Sequence, residues 1–163
     1  MLSLGIDPGT ATVGYGLVRE LKDGSLQAVA YGVITTPPSM PMSERLKQIY
    51  DEITMLIETH QPDRAGVEEL FFAKNVTTAI TVAQGRGVIL LALMNAGVPV
   101  TEYKPNMVKQ SISGYGGANK SQMQEMVRML LGLDKIPKPD DAADGLAIAI
   151  TDIHGSRYIG LMD

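Results

Sequence analysis

Residues 2–35 read LSLGIDPGTATVGYGLVRELKDGSLQAVAYGVIT, and this stretch decides the fold class. An apolar run over residues 2–8 ends in Asp7-Pro8-Gly9, and residues 12–20 and 26–35 alternate in the manner of strands with one buried face. Turn-forming residues separate the last two segments: Lys22, Asp23, Gly24 and Ser25. The stretch therefore predicts three antiparallel strands joined by hairpins.

Helices and strands alternate along the rest of the chain. Apolar residues at spacings of three and four predict an amphipathic helix that Ser43 caps and that closes before Pro62. The other predicted elements, in chain order, are a strand at 64–70, a helix at 76–96, a strand at 98–103, a short helix from Pro105, a loop at 113–118, a helix capped by Asn119 and a helix at about 140–154.

This order of elements predicts one α/β domain built on a mixed five-stranded sheet. The two later strands are reached through helical crossovers, which place helices on both faces of the sheet. We expect the domain to span residues 1–154 and residues 155–163 to form a C-terminal tail. A chain of 163 residues with 45% apolar and 20% charged residues has the size and composition of one globular domain with a real core.

The composition also excludes several kinds of site. The chain has no cysteine, so a disulfide framework, a thiolate metal site and a cysteine nucleophile are ruled out. Any metal ion must be bound by oxygen or histidine. Because the first residues lack a basic segment followed by a long apolar run, we expect a soluble, cytoplasmic protein without a membrane segment.

Basic and acidic residues are unevenly distributed along the chain. The net charge of -4 and the pI of about 5.1 argue, taken alone, against a nucleic-acid-binding protein. Residues 71–120, however, hold five basic residues against the single acid Glu102. A positive surface is therefore compatible with the acidic total.

Four acids stand where a packed α/β domain would not ordinarily place them. Asp7 ends an apolar strand and Glu68 ends another, while Asp141 and Asp144 are three residues apart, about 60° around a helix axis and on one face. Each acid alone is also compatible with a turn, a helix cap or a favourable position near a helix N-terminus. If the four converge, they repel one another, and one or more stay protonated unless hard cations such as two magnesium ions neutralise them. A two-metal carboxylate site of this kind is typical of phosphoryl transfer.

Several separated motifs follow one another along the chain. They are Leu4-Gly5-Ile6-Asp7-Pro8-Gly9-Thr10, Gly14-Tyr15-Gly16, Val67-Glu68-Glu69-Leu70-Phe71-Phe72-Ala73-Lys74-Asn75, Gln84-Gly85-Arg86-Gly87, Val108-Lys109-Gln110, Asn119-Lys120-Ser121-Gln122 and Asp141-Ala142-Ala143-Asp144-Gly145-Leu146-Ala147-Ile148-Ala149. In this unbroken order, from about residue 2 to residue 154, the chain resembles the RuvC family of bacterial Holliday junction resolvases.

The resemblance implies a ribonuclease H-like fold and a homodimeric, magnesium-dependent endonuclease that cuts four-way DNA junctions. It implies paired incisions in homologous recombination and DNA repair, two Mg²⁺ per subunit with Mn²⁺ as an alternative, and the RuvA–RuvB branch-migration complex as a partner. The family's catalytic and metal-binding acids carry over onto Asp7, Glu68, Asp141 and Asp144. The extra acid Asp140 adjoins Asp141, which is preferred because the family's Asp-Ala-Ala-Asp spacing fits it.

Six residues are predicted to contact DNA. The resemblance matches the family's basic residues to Lys109 and Lys120 and its junction-facing aromatic to Phe71. Both lysines also flank the glycine-rich loop within the basic stretch, as phosphate-positioning residues should. The full set is Phe71, Lys74, Asn75, Arg86, Lys109 and Lys120.

Other readings of the sequence stay open at this point. The turn Asp7-Pro8-Gly9-Thr10 also resembles the first phosphate motif of actin-like and sugar-kinase ATPases, although 163 residues leave no room for their second lobe. A non-catalytic junction-binding protein and a different ribonuclease H-like nuclease are further alternatives. The helix at 76–96 is a candidate dimer contact through Gly85 and Gly87, with internal packing as the equal alternative.

Overall fold

The computed structural model describes residues 1–70 and 76–159. Within that part of the chain, β-strands form one five-stranded mixed sheet. The strands are β1 (Leu2–Asp7), β2 (Thr12–Glu20), β3 (Leu26–Thr35), β4 (Arg64–Glu68) and β5 (Val100–Tyr103). The helices are α1 (Met42–His60), α2 (Val76–Asn95), α3 (Pro105–Ser113), α4 (Lys120–Leu130) and α5 (Asp140–Ile159).

The sheet has the predicted topology. Its strand order is β3-β2-β1-β4-β5, with β1–β2 and β2–β3 antiparallel and with β1–β4 and β4–β5 parallel. The central strand β1 is therefore flanked by one antiparallel and one parallel neighbour. The three leading antiparallel strands and the two strands reached by helical crossovers confirm the fold class expected from the alternation of elements.

Side-chain alternation along the strands produces two cores, one on each face of the sheet. Leu4 and Ile6 point to a core that includes Ile49 and Ile53 of α1 and Ile89 of α2. The opposite core is dominated by α5 and is completed by buried side chains of α3 and α4. Odd-numbered residues of β1 consequently face α5, and Asp7 is among them.

Helix α5 packs unusually close to the sheet because glycines line the strands beneath it. A Cβ atom added to Gly5 would collide with the carbonyl oxygen of Gly145 and the backbone of Ala149. One added to Gly14, which pairs with Asp7 across the sheet, would collide with the backbone of Asp141. These positions need glycine for close backbone approach, and they fix how near the acids of α5 come to β1.

Two helix boundaries differ from the sequence-based expectation. Ser43 does not cap α1; the N-cap is Pro41, whose carbonyl accepts the N–H groups of Glu44 and Arg45 at 3.0 and 3.0 Å. The helix begins at Met42, two residues earlier than a Ser43 cap would require, so Ser43 lies inside its first turn. Helix α5 continues beyond His154 to Ile159, where Arg157 donates to Glu20 Oε1 at 2.7 Å and ties the added turn to β2.

The two glycines of α2 have different surroundings. Gly85 is buried against the carbonyl of Gly9, whereas an added Cβ at Gly87 would meet no atom of the described residues within 4 Å. Gly85 therefore serves internal packing and Gly87 faces outward. By length and composition alone α2 also meets the criteria for a membrane span, which core helices of soluble proteins satisfy as well.

Candidate metal centre

Two carboxylates of the site come from the ends of adjacent parallel strands. Asp7 is the last residue of β1 and Glu68 the last residue of β4, one position beyond the aligned pair Ile6 and Val67. Alternation directs both side chains to the α5 face, because their preceding neighbours Ile6 and Val67 are fully buried in the other core. The two carboxyl groups lie within hydrogen-bonding contact of each other.

Helix α5 supplies two more carboxylates from its first turns. Oxygen atoms of Asp7, Asp141 and Asp144 all lie within 4.8 Å of one another. Glu68 joins this group through its contact with Asp7, which also hydrogen-bonds Asp144. The structure thus brings together the four acids that the sequence analysis singled out, from three elements far apart in the chain. These four residues are called the carboxylate cluster below.

Burial and mutual repulsion perturb the cluster strongly. The pKa of Asp7 is raised to about 8, first by burial and then by the charges of Glu68, Asp144 and Asp141. Burial likewise raises the pKa of Glu68 and of Asp144. Without a cation, ionisation of all four carboxyl groups would cost free energy, because burial and mutual repulsion both disfavour the charged forms. An all-oxygen, partly buried and highly charged donor set of this kind fits hard divalent cations such as Mg²⁺ or Mn²⁺.

Asp140 lies outside the cluster despite its position beside Asp141. Its carboxylate accepts from Lys138 Nζ at 3.0 Å and lies 3.3 Å from Lys120 Nζ. The hydrogen bond from Lys138, followed by that from Lys120, holds the pKa of Asp140 below its usual range. The structure therefore pairs Asp140 with surface lysines and directs Asp141 to Asp7 and Asp144.

Two predicted DNA contacts lie directly beside the cluster. Lys109 of α3 is close enough to Glu68 to lower the pKa of that carboxyl, against the larger effect of burial. Lys120, the first residue of α4, has an exposed side chain near Asp140. Both lysines line a cavity of about 280 Å³ together with Glu68 and Asp144. A capping box in which Asn119 and Gln122 exchange hydrogen bonds fixes the start of α4, as the sequence predicted for Asn119.

The other predicted DNA contacts have different positions. Arg86 of α2 is mostly enclosed; its Nε donates to the carbonyl oxygen of Glu68 at 3.3 Å, and its Nη2 pairs with Glu102. Phe71, Lys74 and Asn75 lie outside the described residues, as does Phe72, whose exposure the sequence analysis also considered.

Sequence reasoning missed a buried polar network behind the cluster. Asp152 of α5 is 0% exposed and accepts from Arg64 at 2.6 and 2.9 Å, from Ser3 at 2.7 Å and from Tyr103 at 2.9 Å. It links α5 to β1, β4 and β5. A lone aspartate near the end of an apolar helix could have signalled a buried partner, but its arginine is 88 residues away in sequence.

Comparisons with known proteins assign the chain to a family. The model of the family described as crossover junction endodeoxyribonuclease RuvC matches residues 3–152, which include all four acids of the cluster. A protein of that description from Chloroflexus aggregans is 63% identical over 150 residues, covering 92% of this chain and 91% of the relative. The chain belongs to the RuvC family. The resemblance carried by its motifs is thereby confirmed.

Solved RuvC structures share the fold of this RuvC-family chain. The structure of Thermus thermophilus RuvC matches with a TM-score of 0.91 and 36% identity, covering 97% of this chain and 96% of that one. T. thermophilus RuvC in complex with a Holliday junction substrate matches with a TM-score of 0.89 and 34% identity over the same shares of the two chains. The fold is therefore ribonuclease H-like, as the resemblance implied.

Proposed function

We propose that this chain is a crossover junction endodeoxyribonuclease that resolves four-way DNA junctions by paired, symmetry-related incisions in recombination and repair. One observation carries the proposal: in a RuvC-family chain, the carboxylate cluster adjoins a cavity bordered by Lys109 and Lys120. Hydrolysis of a phosphodiester needs both parts, since the reacting phosphate is anionic and must be held close to acids that would otherwise repel it.

The cluster has the donor set for two Mg²⁺ ions, with Mn²⁺ as a chemically similar substitute. Bound there, such ions would lower the pKa of a water molecule and neutralise charge on the scissile phosphate. Asp7 would contact both ions, because its carboxyl group is within hydrogen-bonding reach of both Glu68 and Asp144. Glu68 and Asp141 would each hold one ion, and Asp144 would complete the set.

The basic residues bind and orient the DNA in this proposal. Lys109 of α3 and Lys120 of α4 both line the cavity that also borders Glu68 and Asp144, so they would hold the phosphates that flank the cut. The neighbouring residues Phe71, Lys74 and Asn75 follow directly on the strand of Glu68 in sequence. We keep them as proposed junction contacts on the strength of the family resemblance.

A homodimer is part of the proposal, because two opposed strands of a junction require two active sites related by symmetry. Helix α2 offers a surface for the second copy: its exposed side chains Ile80, Leu91 and Met94 fall with Gly87 at spacings of three, four and seven. This spacing forms one outward stripe on the helix. We further propose a cytoplasmic protein that acts with the RuvA–RuvB complex, both on the strength of the family.

A cleavage assay on a synthetic four-way junction, with linear duplex of the same sequence as the control, tests the function. The wild-type chain should cut the junction only with Mg²⁺ or Mn²⁺ present. Asp7→Asn should reduce the cleavage rate by about 1,000-fold or more, because losing a shared metal ligand costs several kcal/mol of transition-state stabilisation. Junction affinity should stay largely intact, since the basic surface is unchanged.

Asp140→Asn is the matched control, because Asp140 is an adjacent acid that lies outside the cluster. It should retain cleavage near the wild-type rate. Equal loss of cleavage in both variants, or loss of junction binding together with cleavage in Asp7→Asn, would contradict the assignment. A chain that binds junctions and never cuts them would instead be the non-catalytic binding protein.

A further inference from the structure

Helix α2 contacts both strand ends that carry cluster acids. On the β1 side, the hydroxyl of Thr10 donates to the carbonyl oxygen of Thr81, and Gly85 packs against the carbonyl of Gly9. Thr10 is 4% exposed, so its hydroxyl is committed to this contact. The turn that follows Asp7 is thereby attached to the middle of α2.

The same turn is held from its other side. Thr36 donates its hydroxyl to the carbonyl oxygen of Thr10 at 2.5 Å, and Arg45 donates Nε to that hydroxyl at 2.8 Å. The backbone N–H of Thr36 donates to the carbonyl oxygen of Ala11 at 3.0 Å. Residues 9–11 are therefore attached both to α2 and to Thr36, the residue that follows β3, and the turn after Asp7 has little freedom to move.

On the β4 side the contact is made by Arg86, one residue after Gly85. Its Nε donates to the carbonyl oxygen of Glu68 at 3.3 Å, while Nη2 pairs with Glu102 of β5. The side chain of Arg86 is 18% exposed. Its guanidinium thus bridges the ends of two adjacent strands and faces protein partners more than solvent.

The carboxylate cluster needs such attachments. Asp7 and Glu68 repel each other when both are ionised, so contacts around the two strand ends must hold the carboxyl groups close together. A metal site binds well only when its ligands are held near their bound positions before the ion arrives, and residues behind the ligands commonly do this.

We propose that Thr10 and Arg86 are positioning residues through which helix α2 sets the separation of Asp7 and Glu68, and that Arg86 acts in this way in place of contacting DNA. The inference rests on the proposed nuclease function and adds to it. Helix α2 then positions the cluster through its inward face and, in the proposed dimer, contacts a second copy through its outward face.

Two variants test the proposal, each with a matched control. Thr10→Val removes the hydroxyl at nearly constant volume, and Thr10→Ser keeps it. Arg86→Met removes the guanidinium with little loss of side-chain length, and Lys109→Ala serves as the reference for a true phosphate contact. Thermal unfolding without metal identifies any variant that fails to fold.

Three quantities are measured for each folded variant: Mn²⁺ affinity without DNA by isothermal titration calorimetry, kcat and KM on a four-way junction, and the salt dependence of junction affinity. We expect Thr10→Val and Arg86→Met to weaken Mn²⁺ binding about 10-fold and to lower kcat by a similar factor, as for other residues that orient metal ligands. KM and the salt slope should stay unchanged, and Thr10→Ser should match the wild type.

Each other result overturns part or all of the proposal. Wild-type Mn²⁺ affinity in both Thr10→Val and Arg86→Met would refute positioning. Loss in Thr10→Ser equal to that in Thr10→Val, tracking a lower melting temperature, would assign Thr10 to general stability. A salt slope reduced by about one in Arg86→Met, as expected for Lys109→Ala, would make Arg86 a phosphate contact. A wild-type chain that binds Mn²⁺ and cuts no junction would refute the nuclease function and leave the titration as the test of positioning.

Discussion

At Asp7, burial and the charges of three neighbouring acids all favour the protonated form of the carboxyl group. The pKa of this carboxyl is raised to about 8 from an ordinary value of 3.8. Between those two pH values the folded chain holds a proton that the unfolded chain has released. Folding stability in the absence of metal therefore falls as pH rises through this window, and the full loss is reached above pH 8.

Asp7→Asn should consequently stabilise the metal-free protein even as it removes activity. Asparagine is neutral at every pH, so it avoids the cost of ionising Asp7. In EDTA at pH 8 to 9 we expect a gain of about 2 kcal/mol, allowing for the partial exposure of Asp7, or about 5 °C in melting temperature. Near pH 4 the two proteins should melt together.

Circular dichroism melts from pH 4 to pH 9 measure this difference. Added Mg²⁺ should raise the melting temperature of the wild type and have much less effect on Asp7→Asn. A stability difference that does not change with pH would show that Asp7 is not held protonated by its surroundings.

Single residues also show where sequence reasoning succeeds at this site. The family's Asp-Ala-Ala-Asp spacing was enough to prefer Asp141 to its neighbour Asp140, although helical geometry alone would place either of them on one face with Asp144. The lysines that engage Asp140 and the threonine that attaches the Asp7 turn were not predicted, since those contacts depend on the packing of distant segments.

Among the elements, α5 and the sheet are joined by a glycine-lined contact that determines where the cluster acids stand. Strand and helix positions follow from apolar periodicity, and the cap of α4 follows from Asn119, so most elements could be predicted. The Pro41 start of α1 and the extension of α5 could not, because backbone hydrogen bonds and a tie to Glu20 decide them. The closeness of α5 to β2 is likewise visible only in three dimensions.

Gly14→Ala tests this close packing. The added methyl group would collide with the backbone of Asp141, so α5 must shift away from β2 and carry its acids with it. We expect a loss of about 3 kcal/mol in the free energy of unfolding and a fall in cleavage larger than the fall in junction affinity. Gly116→Ala is the control and should change neither quantity, because an added Cβ in this loop lies more than 4 Å from every atom in the part of the chain that the structure describes. Urea unfolding and the junction assay provide the measurements; equal effects of the two substitutions would refute a special role for Gly14.

On the scale of the whole molecule, helix α2 has two different faces. Its inward face is attached to the strand ends that carry the cluster, and its outward face carries an apolar stripe. Leu91 is 54% exposed and shares this stripe with Ile80 and Met94, so that several large apolar side chains lie together on one exposed helix face. In the proposed homodimer this stripe packs against a second copy.

Leu91→Glu should therefore convert the dimer to a monomer, because it places a charge in an apolar contact. Light scattering after gel filtration measures the mass, and the junction assay should show loss of paired incisions. Met55→Glu is the control, since Met55 is 62% exposed and belongs to α1, outside the stripe of α2. A dimer that survives Leu91→Glu, or one that Met55→Glu also breaks, would place the interface elsewhere.

Charge is the other property of the whole molecule that bears on function, because an acidic protein is proposed to bind a polyanion. The net charge of -4 includes the four acids of the cluster, which bound cations would neutralise, while Lys109 and Lys120 border the cavity beside it. Binding then depends on the local field and releases counterions at each phosphate contact.

Lys109→Ala should reduce the slope of log affinity against log salt by about one. Lys47→Ala, on α1 and paired with Asp51 at the protein surface, should leave the slope unchanged. Fluorescence anisotropy with a labelled junction from 50 to about 300 mM salt measures both slopes. A slope that Lys109→Ala does not alter would remove this lysine from the DNA and would require the basic contacts to lie on another face of the protein.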